Sequence, residues 1–373
     1  MIELRGITWD HPRGYQPLQA SSGVYAEQTG VHIKWDKRSL KDFGDAPIDV
    51  LAQSFDLLII DHPHMGLALQ SACLLPLDEH ITADTLATLA AQSAGQSHQS
   101  YTYSGHQWAL ANDAAMQATC YRPDLMDLPF PDNWEGVIRL GEQFRARGQW
   151  MAIPLCPTDA ICSFLSLCAS LGVPPDGGKV LVDKHTGGHV LELLLAMHRV
   201  SHPQSASWNP IKLLDRMSST DEIVYCPLSF CYTNYARLGY ASRLLRFHTS
   251  PGVNGALLGG AGIAVSAHTK YPEAACTYAA WISRADTQRG LYVENGGQPG
   301  NRIAWEDEHA NAITSDFFRD TLPTLIGAYL RPRWYGWHLF QEQAGELIHA
   351  MLVRDSIGNT LEEMIATYER YAP

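Results

Sequence analysis

The sequence predicts an α/β chain folded as two lobes around a ligand cleft. Three observations carry this expectation. The chain has 373 residues and is 46% apolar, more than one ordinary core takes in. It opens as strand, helix, strand, helix, strand, the order of a parallel sheet with right-handed crossovers. Far downstream, Leu257 to Ser266 runs a glycine-rich turn into an apolar, β-branched strand, and a helix start at His268–Ala275 follows at once.

The elements follow from local pattern. Ile2–Trp9 alternates loosely and predicts a buried first strand. Asp10–Gly14 predicts a loop, and residues 15–29 carry apolar positions at helical spacing up to Gly30. Val31–Trp35 alternates as a second strand. Ser39, with Asp42 three residues on, predicts a helix cap. Asp56–Ile60 is an apolar run of strand length, as a strand buried on both faces requires. Further strands are expected at Ala118–Tyr121, Trp150–Leu155, Glu222–Leu228 and Leu245–His248. Helices are expected from Asn133 to near Gly148, over Ile161–Leu171, over 187–200 and from Pro272 to Ser283. A long amphipathic helix carries Phe340 and Met351, and Thr360 with Glu363 caps a terminal one.

Composition excludes several classes. The net charge is −12 and basic residues do not cluster, so a nucleic-acid partner is not expected. No apolar run approaches the roughly 20 residues of a membrane helix. The eight cysteines form no C-x-x-C pair, which argues against a zinc framework and for reduced, buried thiols. Met1–Trp9 lacks the basic, apolar and small-residue regions of a secretory signal. On these residues alone the expected location is the cytoplasm.

Tyr103-x-Gly105-x-x-Trp108-Ala109-Leu110-x-x-Asp113, then Cys120-Tyr121-Arg122-Pro123-Asp124-Leu125 and Pro131-x-Asn133-Trp134, form an ordered set. Leu258–Val265, Pro272–Ala275, Gly297-Gln298-Pro299 and Tyr329-x-Arg331-Pro332-Arg333 complete it. In order and spacing the chain resembles the extracellular solute-binding proteins of carbohydrate ABC transporters, the family-1 type. The resemblance implies a two-lobed type II periplasmic-binding-protein fold, a small-molecule ligand, an ABC permease as partner, no cofactor and a periplasmic location. Lobe 1 is expected over 1–110 and again over 246–310, and lobe 2 over 111–245. The C-terminal helices, 311–373, should pack mainly on lobe 2. A monomer is expected.

Sugar-like ligands are held by aromatic faces and by a few placed polar groups. Trp9, Tyr232, Tyr335 and Trp337 are candidate faces, with core packing as the alternative and the better reading for Trp337. By resemblance Asp113 accepts ligand hydrogen bonds; a helix cap is the alternative. Asn234 suits a ligand hydroxyl or a helix cap. Around Gly260, Gly259–Gly262 lacks the Lys-Ser/Thr end of a P-loop and opens a strand, which argues against a phosphate cradle. Its bare backbone fits close approach of a ligand or a simple turn. Arg331 and Arg333 suit a carboxylate on ligand or protein. His11 and His64 lie on loops that should meet at the carboxyl ends of strands, with His62 and Asp61 beside them. Ligand contact or local structure fits them better than a metal, and no metal is expected.

Two functional classes follow. One is a solute receptor that closes on a sugar, polyol or related carboxylate. The other is a cytosolic enzyme or sensor on the same fold, with Cys120 as its candidate thiol. A purely structural scaffold is a third, weaker reading.

Overall fold

A computed structural model describes residues 1–45, 47–252 and 254–373. The strands that carry the fold are β1 (Ile2–Trp9), β2 (Val31–Arg38), β3 (Leu57–Ile60), β4 (Ala109–Tyr121), β5 (Trp150–Met151), β6 (Ile223–Phe230), β7 (Arg246–His248) and β8 (Leu258–Val265). By contact density the chain forms two compact units. The first comprises Met1–Ala115, Tyr232–Asn234 and Gly259–Ile313; the second comprises Met116–Cys231, Tyr235–Leu258 and Thr314–Pro373.

In the first unit β1 lies between β2 and β3 and is parallel to both, with Ile2 opposite Val31 and Gly6 opposite Leu57. Every residue of β3 is fully buried, which explains its unbroken apolar run. β8 closes on β3 antiparallel, with Gly262 opposite Ile60 and Val265 opposite Leu57. Helix α1 (Pro12–Thr29) joins β1 to β2 and ends at Gly30, whose φ of +74° is left-handed. The core of this unit gathers Leu4, Leu18, Tyr25, Ile59, Ile263 and Tyr278.

In the second unit β6 runs antiparallel to β4, with Gln117 opposite Phe230, and parallel to β5. β7 pairs with the other side of β4. Helices α2 (Trp134–Ala146), α3 (Pro157–Ser170), α4 (Lys184–Val200), α5 (Trp337–Arg354) and α6 (Thr360–Tyr371) pack a large core that includes Phe144, Phe164, Leu194, Trp337 and Phe340. Among the described residues no helix is long and apolar enough to cross a membrane.

Four local expectations change. His11 caps α1 and Pro12 is its first residue, so the expected loop is the first turn of a helix. The two segments around Asn112 and Cys120 are one thirteen-residue strand, β4. β5 stops at Met151; the Ala152 N–H still donates to the Tyr225 carbonyl at 2.9 Å, and Pro154 beyond it has no N–H to donate. The stretch Gly259–Gly262 lies within β8 rather than forming a turn before it.

Candidate functional site

The site grows from the end of β1. Trp9 is its last residue, His11 caps the helix that follows, and Arg13 sits in that helix's first turn. The Arg13 backbone N–H donates to His11 Nδ1 at 3.1 Å, which makes that nitrogen an acceptor. Burial, reinforced by the neighbouring Arg13 charge, lowers the His11 pKa to about 3. The ring is therefore neutral at physiological pH.

Arg13 reaches the first half of β4. Its Nε donates to Asp113 Oδ2 at 2.8 Å and its Nη2 to Asp113 Oδ1. Both side chains are almost wholly removed from water. Burial opposes the guanidinium's charge, but the Asp113 carboxylate outweighs it and holds the proton more tightly. Burial pushes the Asp113 carboxyl upward, and the guanidinium works against that shift. The Arg13 guanidinium carbon lies over the Tyr232 ring, 4.7 Å from its centre, and the His11 ring meets Tyr232 edge-on at 4.8 Å.

Tyr232 begins the three-residue piece Tyr232–Asn234 that belongs to the first unit. The Thr233 N–H donates to Gln298 Oε1 at 3.1 Å, and Gln298 Nε2 donates to the Ala114 carbonyl at 2.8 Å. Ala114 N–H in turn donates to the Gln298 carbonyl at 3.1 Å. Asn112 Nδ2 donates to the Tyr292 hydroxyl, and Gln288 Nε2 to the Asn112 carbonyl. Asn234 lies against Gly296. Among the buried atoms of this unit with no hydrogen-bond partner among the described residues are Trp9 Nε1, Asn112 Oδ1, Thr233 Oγ1 and Asn234 Oδ1. Each such group costs about 1–3 kcal/mol when left unpaired. They comprise one indole donor, two amide acceptors and a hydroxyl.

The other expected residues fall elsewhere. His64 is buried on the turn after β3, where Asp61 Oδ1 accepts from the His62 N–H at 2.8 Å. Among the described residues no group of three or more His, Cys, Asp and Glu side chains is placed to hold a metal ion. Gly260 has φ +105°, and a Cβ there would meet the Asp113 carbonyl at 2.5 Å. Its bareness thus serves the approach of β8 to the backbone of β4. Arg331 belongs to the second unit, where its Nη1 donates to Gln341 Oε1 at 3.0 Å and lies 3.9 Å from Cys162 Sγ. Tyr335, also in that unit, is half-exposed, and Trp337 is core. Cys120 is fully buried, and burial, with the nearby Cys231 and Cys226 sulfurs, raises its thiol well above the ordinary range. No nucleophilic thiolate is available there.

Asp113 was expected to accept ligand hydrogen bonds, and both its oxygens are engaged by Arg13. Arg13, Gln298 and Asn112 were not among the expected site residues. Arg13 carried a signal. A cation in the first turn of a helix opposes the helix dipole, so a buried one there calls for a carboxylate partner.

The backbone superposes on several solved solute-binding proteins of low sequence identity. Maltose-bound MalE3 of T. maritima matches with a TM-score of 0.84 at 16% identity, covering 99% of this chain and 100% of that one. The ABC-transporter solute-binding protein of Thermotoga lettingae, bound with α-D-tagatose, gives 0.84 at 13%, covering 100% of each chain. That of Agrobacterium radiobacter, in complex with ribitol, gives 0.82 at 16%, covering 99% of this chain and 98% of that one. The fold is thus the two-lobed α/β fold of periplasmic binding proteins. Among curated proteins no sequence matches. The family model described as bacterial extracellular solute-binding protein matches residues 25–302, well over half of the sequence, and the chain belongs to that family.

Proposed function

We propose that the protein binds a small neutral polyhydroxy solute, a sugar or a polyol, at the polar face of the first unit. Trp9, His11, Tyr232 and Asn234 would contact it. The observation that carries this reading is the set of four unpartnered buried polar atoms at Trp9, Asn112, Thr233 and Asn234. A polyol offers hydroxyls that both donate and accept, so it can satisfy an indole N–H and amide oxygens together. Its C–H faces suit the Trp9 and Tyr232 rings. Arg13 is committed to Asp113 and His11 is neutral, so neither argues for an anionic solute. The solved relatives named above carry maltose, tagatose and ribitol, which supports the same class.

With the family comes an extracellular location, and an ABC permease as the membrane partner. Both are proposed for this chain, and fractionation of cells making the full gene product tests the location. The thiol-dependent alternative draws no support from Cys120, whose burial holds the thiol well above the ordinary range.

Calorimetry and thermal shift with maltose, D-tagatose, ribitol and D-mannitol test the reading. Saturable binding to at least one is expected, and at a hundredfold excess over Kd it adds about 2.7 kcal/mol of stability. Asn234→Ala should weaken that binding about tenfold. No heat and no shift across the panel at millimolar concentration would overturn it.

A further inference from the structure

Tyr232–Asn234 belongs to the first unit, while its chain neighbours Cys231 and Tyr235 belong to the second. So short a piece has no secondary-structure ladder within the first unit to hold it. Thr233 and Asn234 open a short 3-10 turn, Thr233–Ala236, and the contacts of the piece with the rest of the first unit are made by side chains: the Arg13 guanidinium and the His11 ring against Tyr232, and the Gln298 amide on the Thr233 N–H. Arg13 is suited to this because its guanidinium is planar. The donor edge grips both Asp113 oxygens, while the guanidinium carbon sits over the Tyr232 ring. A lysine ammonium forms a point contact with a carboxylate and has no face to stack.

We propose that Arg13 and Asp113 are positioning residues of the solute site: the buried pair sets the Tyr232 ring and, with it, Thr233 and Asn234, and Asp113 acts through Arg13 rather than on the solute. This rests on the solute-site reading above, but the holding of the segment can be measured without a solute.

Four proteins are compared: wild type, Arg13→Lys, Asp113→Asn and the double variant Arg13→Met/Asp113→Leu. The double variant removes both charges together, so it stays folded where a single truncation fails to fold. One readout is affinity for whichever of the four sugars and polyols binds wild type most tightly. The other is hydrogen exchange at the Thr233 and Asn234 amides in solute-free protein. Arg13→Lys and Asp113→Asn should each lose affinity by about tenfold, within the range of a cation–aromatic contact. In both, and in the double variant, the two amides should exchange faster, while amides of β6 keep wild-type protection. Wild-type exchange in Arg13→Lys overturns the proposal. So does a loss of affinity in Asp113→Asn with none in Arg13→Lys, which would make Asp113 a direct contact. If wild type binds none of the four probes, the solute reading fails, and the exchange data alone decide whether the pair holds the segment.

Discussion

Arg13 and Asp113, 100 positions apart in the chain, face each other through a two-pronged ion pair buried in the first unit. Their mutual attraction offsets the cost of taking each charge out of water. The pair is therefore fragile to one-sided change and tolerant of two-sided change. Asp113→Leu should destabilise the fold by about 3–5 kcal/mol, because Arg13 keeps its charge without a partner. Arg13→Met/Asp113→Leu should recover most of that loss. Urea denaturation of the three proteins checks it. A single variant costing under about 1 kcal/mol would mean that water already reaches the pair.

The same region sets an acid limit. His11 has a folded pKa of about 3 against an ordinary 6.5, chiefly through burial. The unfolded chain takes up this proton first as pH falls. Stability from the neutral ring is therefore fully present above pH 6.5 and is lost as the pH drops toward 3. Burial lowers His98 and His198 in the same sense. Each such group steepens the fall by at most about 1.4 kcal/mol per pH unit. His11→Gln should flatten the stability profile between pH 6.5 and 4, read from chemical denaturation at each pH. An unchanged slope would show that water hydrates the ring in the folded state.

The thiols should be quiet in the native protein. None of the eight cysteines is joined in a disulfide among the described residues; seven are buried and Cys156 is partly exposed. Burial pushes the Cys226 and Cys276 thiols up to about 12. Cys156 is held up by burial and by Asp159, whose carboxylate accepts from its sulfur at 3.0 Å. A thiol reagent at pH 8 should label at most one cysteine slowly in folded protein and all eight in denaturant. Cys120→Ala should leave solute affinity at the wild-type value. Rapid native labelling of Cys120 would reopen the thiol-dependent alternative.

Most strand and helix positions and the family were legible because they rest on local pattern, but Thr360, expected to cap the terminal helix with Glu363, is the first residue of α6: Asn359 holds the cap position and makes no side-chain cap bond. The buried run of Leu57–Ile60, the Ser39–Asp42 cap and the stop at Gly30 each depend on residues a few positions apart. The site was legible in part for the same reason. Trp9 and His11 stand at the end of a strand and just beyond it, and Asp113 is a charged residue within the largely apolar run of β4, so each is conspicuous in the sequence. What those side chains do was not legible, since it depends on partners far away in the chain. Nothing near Asp113 announces Arg13, and nothing near Thr233 announces Gln298. Gly259–Gly262 misled for a related reason: glycine is common in turns, and only the neighbouring strand reveals why a side chain is missing at Gly260.

That last contrast yields a paired prediction. Gly260 combines a φ of +105°, which disfavours any L side chain, with a neighbour that cannot yield: the Asp113 carbonyl is backbone, 2.5 Å from where a Cβ would sit. Gly260→Ala must twist β8 or push β4 away, and β4 carries Asp113. A loss of about 1–3 kcal/mol is expected from the overpacking, with further loss from the backbone strain. Gly23, on an exposed position of α1, has nothing within 4 Å of its would-be Cβ and no unusual φ. There an added methyl meets open space and removes freedom from the unfolded chain, so Gly23→Ala should stabilise by about 0.5–1 kcal/mol. Thermal and urea unfolding of the two variants should therefore move in opposite directions from wild type. Equal shifts would mean that β8 accommodates a side chain at Gly260, and that the close approach of its backbone to Asp113 is not required by the fold.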